Sequence, residues 1–63
     1  MDAQAALAEL IALSDPGVDA HRAAAALFAR YGAVSQIASA PAEDIMRAGG
    51  VSLQAAQLIR LVP

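Results

Sequence analysis

Sixty-three residues with no cysteine and a formal charge of −2 allow one domain without a disulfide staple or a thiolate site. A chain this short buries only about 60% of the surface its unfolded form exposes, so its core has little to spare. All four basic residues are arginines and none is lysine, which weakens any nucleic-acid reading, because that affinity comes from Lys and Arg neutralising phosphates. No run of 18 or more apolar residues suggests a membrane span. Asp2 and Glu9 stand where an export signal would carry basic residues, so a cytoplasmic location is expected. Alanine carries much of the 59% apolar fraction, and the aromatics are Phe28 and Tyr31 alone. Alanine fixes into a helix at no side-chain entropy cost, and it lets helices approach closely.

Asp2 is placed to cap a first helix over roughly Ala3 to Leu13, with Leu7, Leu10, Ile11 and Leu13 as its apolar stripe. Ser14-Asp15-Pro16-Gly17 then breaks the helix, since proline cannot continue it and glycine tolerates positive φ. Asp19 is the next N-cap, opening a helix from Ala20 to about Tyr31 with Ala24, Leu27, Phe28 and Tyr31 on its core face. Gly32 follows where a left-handed C′ residue is wanted. A short turn of helix over Val34 to Ala38 points Val34 and Ile37 inward. Pro41 suits the first helical position of a fourth helix, with Glu43 and Asp44 in its positive first turn. That helix carries Ile45 and Met46 and stops before Gly49-Gly50. Ser52 caps a last helix from Leu53 to Val62, with Ala55, Ala56, Leu58, Ile59 and Val62 on its buried side. No strand pattern occurs, so the expected class is all-α, a compact five-helix domain spanning residues 1–63.

The chain reads as two related halves. A first hairpin covers about 3–31, a connector 33–39, and a second hairpin about 41–62. Each has a helix, a tight glycine-containing turn, a capping residue and an alanine-rich helix. Two such hairpins would pack as a pseudo-two-fold unit, since one helix pair alone buries too little. In the second half, the run Ile45-Met46-Arg47-Ala48-Gly49-Gly50-Val51-Ser52-Leu53-Gln54-Ala55-Ala56 matches the plan of a helix-hairpin-helix motif. In that motif the turn and the next helix N-terminus direct unpaired N–H groups outward and make an anion site. Gly49, Gly50, Ser52 and Gln54, with Arg47 beside them, are the candidate phosphate-contacting residues.

Nearly the whole chain resembles the N-terminal module of the RadC family of bacterial proteins. In the first half the resemblance rests on Leu7-Ala8-Glu9-Leu10-Ile11-Ala12-Leu13, Asp19-Ala20 and Leu27-Phe28-Ala29-Arg30-Tyr31-Gly32. In the second it rests on Ala40-Pro41-Ala42-Glu43 and the run from Ala48 to Leu58. The resemblance implies a tandem helix-hairpin-helix fold, a link to DNA repair, and sequence-independent contact with the duplex DNA backbone. In that family the module precedes a C-terminal domain similar to metal-dependent isopeptidases, and these 63 residues do not include it. Where the family has Pro-Gly-Ile-Gly, this chain reads Ala48-Gly49-Gly50-Val51. The pinning apolar position is Gly50 unless the turn shifts by one and Val51 becomes the pin. The lysine usual in the next turn is replaced by neutral Gln54.

The competing expectation is a helix-hairpin-helix domain that has lost its phosphate site and serves protein interaction, self-association or structure. On that reading Ser52 is a helix cap only, and Arg22 and Arg47 are solvated or paired with nearby acids. His21 has no partner for a metal site or a general base, so no metal and no cofactor are expected. Glu43 and Asp44 are adjacent and diverge on a helix, which suits the helix N-terminus better than acid–base catalysis. Ser14, Ser35 and Ser39 have no base to activate them, and Phe28 and Tyr31 read as core. Neither catalysis nor a small-molecule substrate is expected of this chain.

Overall fold

Each helix of this protein drives one large branched side chain into the centre. The computed structural model describes residues 2–62, folded as α1 (Ala3–Ser14), α2 (Ala20–Tyr31), α3 (Val34–Ser39), α4 (Ala42–Gly49) and α5 (Leu53–Arg60). The five largest fully buried side chains are Ile11, Leu27, Ile37, Ile45 and Ile59, one from each helix in that order. The rest of the buried core is Leu7, Val51 and seven alanines. Small alanine faces set the helix axes close together. The Cα radius of gyration, 9.7 Å, is below the roughly 11 Å expected of an average 63-residue domain. The domain is all-α, as the periodicity predicts.

The helix starts follow from their caps. The Asp2 carboxylate accepts from the Ala5 N–H at 2.7 Å, and that of Asp19 accepts from the Arg22 N–H at 3.2 Å. The Ser52 hydroxyl accepts from the Ala55 N–H at 3.2 Å. Each satisfies one donor that a helix N-terminus leaves orphaned. Gly32, at φ 88°, ends α2 in the left-handed conformation, its N–H donating to the Phe28 carbonyl. A side chain there would meet strain, which is why glycine holds the position.

Packing joins α1 to α2 and α4 to α5, and it links the two pairs through α2–α4 and α1–α5. The short α3 lies against α2 and α5, with Ile37 as its only fully buried residue.

Several sequence expectations need correction. Pro41 is the N-cap of α4 and not its first helical residue: its ψ of 147° is extended, and its carbonyl accepts from the Asp44 and Ile45 N–H groups. The last helix stops at Arg60, two residues early. Leu61 and Val62 close it with bonds three residues back, to Leu58 and Ile59, and Val62 precedes Pro63, which disfavours helical geometry at that position. Leu13 is 84% exposed, because it lies two residues and some 200° around the helix from Ile11. Phe28 and Tyr31 are half-buried and flank the core without entering it. Leu10, Val34, Leu58 and Val62 are likewise half-buried. Ala8, Ala20 and Ala23 take interior places that larger residues were expected to hold. With alanines at seven of the buried positions, Phe28, Tyr31 and the other half-buried side chains stay at the margins.

Candidate nucleic-acid interface

The second hairpin is built on two glycines with different tasks. Gly49 is the last residue of α4. A Cβ added there would lie 3.0 Å from the Leu27 Cγ and 3.1 Å from its Cδ1, so Gly49 allows α4 to seat against the centre of α2. Gly50 supplies the turn: it is left-handed at φ 67° with open space around it, and its N–H donates to the Met46 carbonyl at 2.8 Å.

Val51 is the apolar pin, only 5% exposed. Positive φ falls on Gly50 and not on the β-branched Val51. No non-glycine residue among those described has positive φ. The altered Ala48-Gly49-Gly50-Val51 run thus forms an unstrained hairpin.

At the start of α5, the backbone donors are not all open. Ser52, the N-cap of α5, donates its backbone N–H to Oδ2 of Asp15 at 2.9 Å, across 37 residues of sequence. Its hydroxyl is turned inward to the Ala55 N–H. The Ser52 N–H is therefore engaged with a carboxylate, and its hydroxyl oxygen serves as the cap of α5. The N–H groups of Leu53 and Gln54 find no protein acceptor among the described residues, and both residues are exposed. A phosphate approaching them meets the Asp15 charge. At about 5 Å the repulsion is roughly 1–3 kcal/mol, between bulk-water and near-surface dielectric limits.

Gly49, Gly50, Ser52 and Gln54 thus share the turn and its following helix start, but Arg47 does not join them. Its guanidinium lies 3.8 Å from the Asp44 carboxylate, one turn back on α4. It lines a cavity of about 170 Å³ with Arg30, Asp44 and Ala48. Arg22 is exposed on α2, beyond the Asp19 cap. Among the described residues no group of three His, Cys, Asp or Glu side chains could hold a metal. His21 stands exposed beside a broad open cavity of about 540 Å³ that Asp2, Gln4 and Phe28 also line. Among the described residues no helix is long and apolar enough to cross a membrane.

Asp15 is the participant that sequence reading missed. Locally it belongs to a helix-breaking Ser-Asp-Pro-Gly turn, and nothing within that turn announces a partner 37 residues away. Arg30 was equally unremarked, although an arginine in the last turn of α2 is where the α4 neighbour could be met. Comparison with family models, with curated proteins and with solved structures finds no match to this chain.

Proposed function

We propose that this chain is a non-catalytic helix-hairpin-helix module of the RadC N-terminal type whose phosphate site is closed, acting in the cytoplasm as a protein-interaction or structural domain. The observation that carries this reading is the Asp15 carboxylate on the Ser52 N–H. A helix N-terminus whose N-cap amide already donates to an internal anion attracts an external one less, even with the Leu53 and Gln54 N–H groups open. The formal charge of −2 and the lack of lysine act in the same direction, opposing the long-range attraction that steers DNA-binding proteins.

A second reading is sequence-independent contact with the duplex DNA backbone, in DNA repair. It is favoured by the glycine turn at Gly50 and by the open N–H groups of Leu53 and Gln54. One experiment separates the two: a heteronuclear NMR titration of the chain with a short duplex at low salt, repeated with added salt. The proposal expects the amides of Gly49 through Gln54 to stay in place. Shifts confined to those amides and fading as salt rises would overturn it in favour of DNA contact.

A further inference from the structure

Arginines from two helices line one concavity beside the second hairpin. Arg30, from the last turn of α2, and Arg47, from the last turn of α4, line the same cavity of about 170 Å³ with Asp44 and Ala48. Arg30 has no carboxylate partner among the described residues. Its guanidinium lies 5.7 Å from the centre of the Tyr31 ring, a cation–π distance. Arg47 is held only loosely, by an exposed pair to Asp44 at 3.8 Å. A pair at that length forms no short bidentate hydrogen bond and contributes little. Two arginines, neither held in a short bidentate pair, therefore line one space.

We infer that this Arg30–Arg47 cleft is a docking site for a single carboxylate, an Asp or Glu side chain on a partner peptide. The inference deepens the protein-interaction reading by giving the partner's chemistry, and it rests on that reading for the choice of a peptide. Guanidinium forks match carboxylate and phosphate geometry alike, so the surroundings decide between them. Asp44 forms one wall and Glu43 stands exposed next to it on α4. A phosphodiester chain would run its repeated charges past these acids and over a chain of net charge −2. A lone carboxylate flanked by neutral residues needs only the two arginines. Ala48 adds an uncharged wall that fits the short stem of such a side chain.

The test follows the arginine Nε–H signals and the Ala48 amide of the full chain by NMR. The probe is a blocked pentapeptide with one glutamate between alanines, with its glutamine counterpart and a short DNA duplex in parallel. Saturable shifts at Arg30, Arg47 and Ala48 with the glutamate peptide alone are expected, in the millimolar range. Arg30→Gln and Arg47→Gln, each checked for an otherwise unchanged spectrum, should abolish them. Asp44→Asn, which removes the competing wall carboxylate, should tighten binding severalfold, an effect that a purely structural role for the arginines would not produce. No saturable shift with the glutamate peptide overturns the inference. So does an equal response to the glutamine peptide, or a duplex that shifts the same arginine signals at lower concentration. Such a failure would be read at Arg30 and Arg47, whereas failure of the closed-hairpin reading would be read at Gly49 through Gln54.

Discussion

Replacing Asp15 by alanine removes a contact that ties the end of α1 to the start of α5. The Asp15 carboxylate accepts the Ser52 N–H at 2.9 Å in a half-buried setting. A hydrogen bond to a charged group contributes about 1.5–3 kcal/mol to stability. A carboxylate at a helix N-terminus adds roughly 0.3–1 kcal/mol through the macrodipole. Water can reach the Ser52 N–H once the carboxylate is gone, so the lower end applies, about 1–2 kcal/mol for Asp15→Ala. Asp15→Asn keeps a neutral acceptor and should lose about half of that. For a domain of this size each kcal/mol moves the melting temperature by about 4–8 °C. Thermal unfolding followed by helical circular dichroism should therefore place the alanine variant about 5–15 °C below the parent, with asparagine between them. An alanine variant that melts with the parent would refute the reasoning and make the Asp15 contact incidental.

Four further outcomes are expected. Gly49→Ala should destabilise by about 1 kcal/mol, because crowding against the buried Leu27 outweighs the gain in helix propensity; urea denaturation checks the sign. Gly50→Ala should also lose about 1 kcal/mol, from left-handed backbone strain in open space, and Gly50→Asn should recover part of it, which Gly49→Asn should not. Ile37→Ala removes the only fully buried side chain of α3 at a cost of about 2–5 kcal/mol, enough to unfold a domain whose total stability is of the order of 5 kcal/mol. Leu13→Ser, at an 84% exposed position, should stay within about 0.5 kcal/mol of the parent by the same denaturation.

The helices were legible because their signals are local. Asp2, Asp19 and Ser52 each sit one residue before a helix and cap it, and Gly32 occupies the left-handed position its place predicts. The interior was read less well. Hydropathy ranks Phe28, Tyr31 and Leu13 above alanine, yet alanines fill half of the buried core, because the close helix contacts select for small size. The turn at Gly49-Gly50-Val51 offered two registers, and only the three-dimensional contact between Gly49 and Leu27, with Val51 buried, decides between them. The state of the α5 N-terminus depends on Asp15, whose contact with Ser52 spans 37 residues. Periodicity and capping rules reach about one turn of helix, so they could not have found it.

The Asp15–Ser52 contact is tested most directly by comparing the Ser52 amide proton by NMR in the parent and in Asp15→Asn at one neutral pH. A Ser52 amide well downfield in the parent that moves upfield in the variant is the expected result. A Ser52 amide unchanged by the substitution would contradict the proposed closure and leave the hairpin amides open to an external phosphate.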